Sequence, residues 1–385
     1  MKDVMRIIGK ILLSVVLIVV LAALLLVLFN RVCYMRARGE HKKAGYYNAV
    51  KIGGGRKMNV AELGAENGTH TIVGIAGQWV SDYSIYMNRV NKEIGEENTL
   101  VYIDRAGNGF SADTLKKQTI EQVVSDYRAA LQAAGYEAPY VLMPFSLGGM
   151  YATYWENQYP DEIEGVIYID CCSFTGWDLE ERGAYSSYTI DQYTKGELFL
   201  SVTRGMLGLQ RFDRDDSIPP GMVALSDEER RLIAMADKRG TTFAVVSEVK
   251  CEYDSIHTFR DTCKANDIPK MFIGVALTDA EDLKEYYVFL NRETKLFGGA
   301  PDIDPETAYK DWEYVKEQYE EETNAYNLPF VEAVGNCEYV SIPGDHYIFL
   351  QKPKEVSKAI LNYLKKLAGS PRGHFPSDGG SEAPQ

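Results

Sequence analysis

The hydrophobic pattern of the chain changes after the first thirty residues. Ile11 to Phe29 form nineteen consecutive uncharged, almost wholly apolar positions. An α-helix of that length spans roughly the ~30 Å hydrocarbon layer of a bilayer. Later apolar residues occur in short runs, or with helical spacing, between polar segments, which is typical of a folded domain. The pattern predicts one span, in contact with the membrane lipid bilayer through residues 11–29, followed by a globular domain.

A cleavable signal peptide is the alternative to an uncleaved anchor. A signal peptide has a shorter apolar region, and a cleavage site with small residues follows it. Leu26 to Asn30 offer no such site. Residues 1–43 are therefore predicted to be an N-terminal membrane anchor, of the signal-anchor type, with basic flanks.

The orientation of the anchor follows from two cues that disagree. Three Lys or Arg residues precede the span and five follow it closely, which favours a cytoplasmic domain. A short basic head before an N-terminal apolar segment is instead the pattern of an export signal. We interpret the domain as extracytoplasmic.

The short apolar runs after the span are predicted strands that alternate with helices. Runs at 46–52 and 58–63 flank three glycines and predict an opening hairpin. The remaining runs lie at 71–76, 99–103, 140–145, 165–170, 270–277 and 338–342. Runs that are apolar on both faces are typical of a parallel sheet covered by helices. We predict an α/β fold with a doubly wound, mostly parallel sheet in residues 44–367.

Two segments are longer than a crossover between strands requires. Residues 173–262 begin with many aromatic side chains and contain a helix predicted from the capping-box pair Ser226 and Glu229. Their position predicts a helical cap, whose aromatic residues line a substrate entrance or form a core of their own. Residues 280–336 are a second insertion with an acidic, solvated helix. Residues 368–385, rich in Gly, Pro and Ser, are predicted to be a disordered tail.

Charge and cysteine content restrict the classes of partner. The net charge is −14, yet residues 1–43 hold eight Lys or Arg and two acidic residues, so the remainder carries about −20. Phosphate backbones repel such a domain, which argues against nucleic acid as a partner. The six cysteines are sparse and lack metal-ligand spacing. The sequence implies neither a metal nor a cofactor.

A serine stands where one apolar run gives way to a helix. Tyr140 to Phe145 are apolar, Ser146 and small residues follow, and helical sequence continues to Gln158. Such a turn strains the serine backbone and lifts its hydroxyl above the sheet, within reach of a base and a substrate. Gly148 fits the usual Gly-x-Ser-x-Gly pattern, whereas Pro144 replaces the first glycine. We predict that Ser146 is a nucleophile; a serine in an ordinary loop is the alternative.

A serine nucleophile needs a base, and the chain has five histidines. His41 lies in the flank of the span, His70 before a strand, His257 in the cap and His374 in the tail. His346 lies directly after the last strand, so its loop opens at the same sheet edge as the serine turn. We predict that His346 is the base.

Together these stretches resemble the α/β-hydrolase fold family over residues 45–367. The resemblance rests on the elbow around Ser146, the loop 104–111, the strand that ends at Asp170, and His346. It implies catalysis by a triad in a serine hydrolase with a lid, of the esterase or lipase kind.

The resemblance also implies an oxyanion hole made of two backbone N–H groups. One is that of Leu147, just after the nucleophile, and the other is that of Gln78, in the loop after the first parallel strand. Ala76 stands where the family often has histidine. Backbone donors do not depend on that side chain.

The acid of the triad has two candidates in the chain order of the family, which is serine, acid, histidine. Asp279 follows the next-to-last strand at the more usual position, whereas Asp170 follows the strand before it immediately. Both remain open, and Asp170 is placed first.

The predicted function is hydrolysis of a carboxylic ester, a small-molecule acyl substrate, through an acyl-enzyme on Ser146. The same triad fits an aminopeptidase or amide hydrolase, because the fold carries many activities. A catalytically silent binding module on this fold is a further alternative. The presence of Ser146, His346 and candidate acids argues against it.

Overall fold

The predicted apolar runs form one twisted sheet. A computed structural model describes residues 2–78, 80–171, 195–212, 224–297 and 303–369. The aromatic first part of the predicted cap, at 173–194, and the tail from residue 370 lie outside these described ranges. Within them, eight strands pair in the order β1-β2-β4-β3-β5-β6-β7-β8. The strands are β1 (Ala49–Lys51), β2 (Lys57–Gly64), β3 (Thr71–Ile75), β4 (Thr99–Ile103), β5 (Tyr140–Pro144), β6 (Ile163–Ile169), β7 (Lys270–Val275) and β8 (Cys337–Ile342).

The sheet is antiparallel at one edge and parallel elsewhere. The opening hairpin β1–β2 is antiparallel, and β2 also pairs antiparallel with β4. All pairs from β4 through β8 are parallel. Every residue of β4, β5 and β7 is buried, since helices cover both faces of the sheet. The predicted doubly wound, mostly parallel sheet is confirmed.

Helices alternate with the strands and build the two apolar layers that cover the sheet. The helix α4 shows how local sequence sets their limits. The Thr119 side chain accepts a hydrogen bond from the N–H of Gln122, and Gly135 ends the helix with φ 88°. The helices are α1 (Lys2–Lys43), α2 (Tyr83–Tyr86), α3 (Asn88–Ile94), α4 (Ile120–Ala134), α5 (Gly148–Gln158), α6 (Lys195–Leu207), α7 (Asp227–Asp237), α8 (Phe243–Thr262), α9 (Ala280–Phe297), α10 (Ala308–Glu322), α11 (Leu328–Val334), α12 (Ile348–Gln351) and α13 (Pro353–Gly369).

Both insertions are helical where the structure describes them. Helices α6, α7 and α8 lie between β6 and β7, and α7 begins with the predicted capping box of Ser226 and Glu229. Helices α9, α10 and α11 lie between β7 and β8. The predicted acidic helix is α10.

Helix α1 is longer than the predicted span. No residue of its most apolar eighteen-residue window is buried, so this part is a candidate to cross a membrane. Its last turns instead pack on the domain. Ala37 and His41 are fully buried, the Tyr34 hydroxyl donates to the carbonyl of Phe110 at 3.2 Å, and His41 Nε2 lies 3.3 Å from Asp82 Oδ2. The end of the helix is therefore part of the folded domain.

Candidate active site

The turn between β5 and α5 places Ser146 in a backbone conformation that L-residues rarely adopt. Its φ is 54°, in the left-handed region. The Ser146 N–H donates to the carbonyl of Ile169 on β6 at 3.3 Å, and the Ser146 carbonyl accepts from Gly149 at 3.0 Å. These bonds hold the strained turn at the carboxyl end of the sheet.

Glycines surround the turn because neighbouring chain segments approach too closely for a side chain. A Cβ at Gly148 would lie 2.4 Å from the carbonyl oxygen of Ile75, and one at Gly149 would lie 2.6 Å from Cβ of Cys171. A Cβ at Gly77 would lie 2.9 Å from Cβ of Ser146. The loop after β3 therefore touches the serine itself.

His346 and Asp170 meet at this edge of the sheet. The distance between His346 Nδ1 and Asp170 Oδ2 is 2.6 Å. Asp170 follows β6 with φ 40°, and its N–H donates to the carbonyl of Ile273 at 2.8 Å, which turns the side chain out of the strand. The Asp170 side chain is 10% exposed and that of His346 is 44% exposed. A buried carboxylate thus holds one nitrogen of a histidine whose ring reaches solvent.

The histidine ring is fixed from its other side by Phe145, the residue before the serine. The centroids of the two rings are 4.5 Å apart, and the Phe145 ring also packs on Phe349 of α12 at 4.9 Å. Asp345 shapes the loop by accepting a hydrogen bond from the N–H of Tyr347 at 3.0 Å, and burial raises the pKa of its carboxyl. The end of β6 and the loop after β8 therefore bring Asp170 and His346 together, and the His346 ring packs on Phe145, the residue before Ser146.

Asp279, the second candidate acid, lies elsewhere. Its exposed side chain accepts hydrogen bonds from the N–H groups of Glu281 and Asp282, both at 2.9 Å. These are bonds of a helix N-terminal cap at the start of α9. The structure pairs His346 with Asp170, whereas Asp279 caps the start of α9. The geometry therefore favours Asp170 over Asp279 as the partner of His346.

Two backbone N–H groups are available beside the serine. Within the described residues, neither the N–H of Gln78 nor that of Leu147 donates a backbone hydrogen bond. Leu147 precedes α5, and Gln78 follows Gly77, which touches Ser146. The Gln78 side chain is turned away, since its Nε2 donates to Glu252 of α8 at 3.1 Å. Two N–H groups that have no backbone partner among the described residues can bind an oxygen that carries negative charge.

Arg105 supports the loop that carries Gln78, a role that the sequence analysis missed. Its two terminal nitrogens donate to the carbonyls of Ala76 at 2.6 Å and Gly77 at 2.9 Å. Its Nε lies 2.7 Å from Glu248 Oε1 in α8, and Glu248 also accepts from the Tyr151 hydroxyl at 2.7 Å. The signal for this pair was the acidic Glu248 at helical spacing among the buried residues Ala244, Cys251 and Ser255.

Comparison with known proteins supports the fold. No family model matches the chain. The uncharacterized protein YbdG of Bacillus subtilis strain 168 is 23% identical over 321 residues, which cover 81% of this chain and 84% of YbdG. A thermophilic esterase from Thermogutta terrifontis superposes with a TM-score of 0.53 at 14% identity, over 83% of this chain and 98% of the esterase.

A second solved structure is the enol-lactonase from Burkholderia xenovorans LB400, which superposes with a TM-score of 0.51 at 15% identity. The match covers 83% of this chain and 100% of the enol-lactonase chain. Both are α/β-hydrolase fold enzymes whose chains are matched almost end to end. The chain therefore has the α/β-hydrolase fold, as its motifs predicted.

Proposed function

We propose that this chain is a membrane-anchored serine hydrolase that cleaves a carboxylic ester through an acyl-enzyme on Ser146. The observation that carries the proposal is the 2.6 Å contact of His346 Nδ1 with Asp170 beside a serine held at φ 54°. A serine on a strained turn, and a histidine paired with a buried carboxylate at the same edge of the sheet, are the parts that nucleophilic catalysis requires.

In the first half of the reaction, Ser146 Oγ attacks the ester carbonyl carbon while His346 takes the hydroxyl proton. Asp170 holds Nδ1–H, so the other ring nitrogen, Nε2, is the one that accepts. The carbonyl oxygen becomes an oxyanion, and the N–H groups of Gln78 and Leu147 bind it. When the tetrahedral intermediate collapses, the ester C–O bond breaks and the alcohol leaves with the proton from His346.

In the second half, water replaces the alcohol. His346 takes a proton from water, the resulting hydroxide attacks the acyl carbon, and the acyl–Oγ bond breaks. His346 returns the proton to Ser146, and a carboxylic acid leaves. The charge on the imidazolium is balanced by Asp170 at each stage.

An ester substrate is favoured by the chemistry of the site and by the neighbours of the fold. The neighbours described above are an esterase and an enol-lactonase, and a lactone is a cyclic ester. The described site offers two backbone donors and one histidine. These groups are sufficient to stabilise the oxyanion and to protonate the departing alcohol of an ester. No contact in the described residues favours an amide.

Anchoring is proposed from the exposed apolar part of α1. A helix with about twenty exposed aliphatic residues is unstable in water and stable in a bilayer. We propose that the domain lies on the extracytoplasmic side. A protease added to sealed, right-side-out membrane vesicles should then digest the domain, and full protection would place it on the other side.

Labelling with a fluorophosphonate tests the catalytic proposal directly. Ser146→Ala should abolish both labelling and ester turnover while the melting temperature stays within a few degrees, because only a hydroxyl on a half-buried turn is lost. Ser341→Ala, at an exposed position of β8, is the matched control and should keep both. Full labelling of the Ser146→Ala protein would refute the assignment of the nucleophile.

A further inference from the structure

A cleft lies between the end of α1 and the hydrolase domain, away from the candidate catalytic residues. Its volume is about 660 Å³. One wall is formed by α1 from Val27 to Arg38, and the opposite walls by the loop after β4 and by α6 with the turns that follow it. Neither Ser146 nor His346 lines it. The cleft is therefore separate from the candidate catalytic residues.

Six of the nineteen described residues that line the cleft are basic. They are Arg31, Arg38, Arg56, Lys57, Arg211 and Arg239. Arg56 is neutralised by Asp126. Among the described residues, the other five form no ion pair with a carboxylate. Among the described residues that line the cleft, Asp113 is the one acidic residue, and it accepts hydrogen bonds from the first N–H groups of α8. The cleft therefore carries an excess of positive charge.

Aromatic rings and backbone carbonyls fix several of these cations in place. The guanidinium groups of Arg31 and Arg239 lie 5.8 and 5.7 Å from the centre of the Tyr34 ring. Arg239 also donates to the carbonyls of Gly109 at 2.7 Å and Ser111 at 2.6 Å. Arg211 Nε donates to the Asn30 side chain at 2.7 Å, and its two terminal nitrogens form no hydrogen bond with the described residues. The charges are held in position before any ligand arrives.

The position of the cleft along α1 sets its depth relative to a bilayer. With a rise of about 1.5 Å per residue, Arg31 and Tyr34 lie roughly 3 to 8 Å beyond Phe29, the end of the apolar segment. The headgroup layer on each side of a bilayer is about 5 to 8 Å thick. Arg31 and Tyr34 therefore lie at the level of lipid headgroups.

The cap carries exposed apolar side chains, and one of them contacts the end of the span. Phe199, Leu200, Met206 and Phe212 are 58–69% exposed, and the Phe212 ring stacks on Phe29 at 6.1 Å. The Asn30 side chain donates to the carbonyls of Gly205 and Met206 at 3.0 and 3.1 Å. Apolar groups fixed beside a span fit the acyl boundary of the membrane.

Control of membrane topology is the other explanation for basic residues near a span, but it applies only to residues that are close to the span along the chain. Lys57 lies in β2, and Arg211 and Arg239 lie in the cap, far along the chain from residues 11–29. Folding alone brings them to the flank. Their convergence on one cleft needs a different explanation.

We propose that this cleft binds the phosphate of an anionic lipid headgroup, with Arg31 and Arg211 as its direct contacts. Arginine forks bind phosphate oxygens through paired, charge-assisted hydrogen bonds. The acyl chains would leave the cleft past Val27 and Met206 into the bilayer. The inference rests on the proposed anchoring and is independent of the chemistry at Ser146.

The test is calorimetric titration of the delipidated full chain in neutral detergent with three probes. They are dihexanoyl phosphatidylglycerol, dihexanoyl phosphatidylcholine and inorganic phosphate. We expect phosphatidylglycerol to bind at least about tenfold more tightly than the other two, since the cations repel choline and free phosphate lacks acyl contacts. The variant Arg31→Gln with Arg211→Gln should lose about tenfold or more in that affinity.

A matched variant, Arg36→Gln with Lys42→Gln, removes two exposed charges of α1 outside the cleft and should bind like the wild type. The proposal is overturned if the Arg31→Gln, Arg211→Gln variant binds phosphatidylglycerol as tightly as the wild type does. It is also overturned if both double variants lose affinity equally, or if the wild type does not bind this lipid. Phosphate binding as tight as that of phosphatidylglycerol, with the same loss on Arg31→Gln and Arg211→Gln, overturns the lipid source in favour of a soluble phosphate compound.

Two further readouts separate this proposal from the proposed function. Turnover of a water-soluble p-nitrophenyl ester should be unchanged in both double variants. If the wild type does not turn this ester over, the proposed hydrolase function is refuted and the lipid-binding proposal is not affected. The mass of the chain recovered from host membranes shows whether α1 is retained, so loss of the anchor is detected without reference to lipid binding.

Discussion

Replacing Asp170 by asparagine removes the negative charge beside His346 with almost no change in size. The carboxylate oxygen lies 2.6 Å from Nδ1 and the Asp170 side chain is 10% exposed, so a direct hydrogen bond to a buried carboxylate is lost. The amide can also donate to Nδ1, which would leave the proton on Nε2 and the imidazole unable to act as a base. Both effects act on the transition state, in which the ring becomes positively charged.

The size of the loss follows from the charge and the geometry. Because His346 is 44% exposed, an effective dielectric constant of about 20 suits the pair. Two unit charges about 4 Å apart then interact by ~4 kcal/mol, or roughly 10³-fold in rate. The wrong tautomer adds to this loss, and in a serine protease with a Ser-His-Asp triad the corresponding substitution lowers turnover by ~10⁴. We expect turnover to fall by about 10³ to 10⁴.

The assay is steady-state hydrolysis of p-nitrophenyl esters of graded chain length by purified protein, with thermal melting as the check on folding. Asp279→Asn is the matched control, because asparagine caps a helix as well as aspartate does. Its turnover should stay within about twofold of the wild type and its stability within ~0.5 kcal/mol. The rate of fluorophosphonate labelling should fall in the Asp170→Asn protein alone.

Equal rates in the Asp170→Asn protein and the wild type would refute the reasoning, because the carboxylate would then neither orient nor stabilise His346. An equal loss in both variants, with normal melting, would mean that Asp279 reaches the site during the reaction. The first result would remove Asp170 as the orienting acid, and the second would show that Asp170 does not orient His346 alone.

Three further predictions concern the oxyanion loop, the anchor and a buried carboxyl. Gly77→Ala should lower kcat by about 10², because its Cβ would lie 2.9 Å from Cβ of Ser146 and displace the Gln78 N–H. A chain without residues 2–28 should leave the membrane fraction and stay active, whereas one without residues 2–43 should melt several degrees lower, since buried Ala37 and His41 are lost. Burial raises the pKa of the Glu156 carboxyl from 4.5 to about 7. The folded chain therefore binds this proton more tightly than the unfolded chain does, and the protonated carboxyl stabilises the native state at a pH below 4.5. This contribution is lost as the pH rises from about 4.5 to about 7. The melting temperature of the wild type should therefore fall more steeply between about pH 5 and 8 than that of Glu156→Gln.

Each of these has a control and a contrary result. Gly53→Ala has no atom within 4 Å of the added Cβ and should leave kcat unchanged; an unchanged kcat in Gly77→Ala would mean that Gln78 takes no part. Equal melting of the two truncated chains would show that the end of α1 contributes no stability. Parallel pH profiles for wild type and Glu156→Gln would show that this carboxyl titrates alike in both states.

Local sequence was sufficient for most of the fold and for half of the site. The strands, the capping of α4 and the serine turn each depend on residues within a few positions of one another. Hydrophobic period and turn chemistry are local signals of this kind. His346 could be predicted as the candidate base because the carboxyl ends of parallel strands share one edge.

The rest required the tertiary structure, because it depends on groups far apart in the chain. Asp170 and Asp279 both follow strands, and only the left-handed turn at Asp170 and the cap bonds at Asp279 separate them. The bond from Asp170 to His346 joins residues 176 positions apart. No local pattern carries such a contact, since it arises only when the strand register, the loop directions and the docking of helices are all fixed together. The support of the oxyanion loop by Arg105 and the packing of the end of α1 on the domain have the same origin.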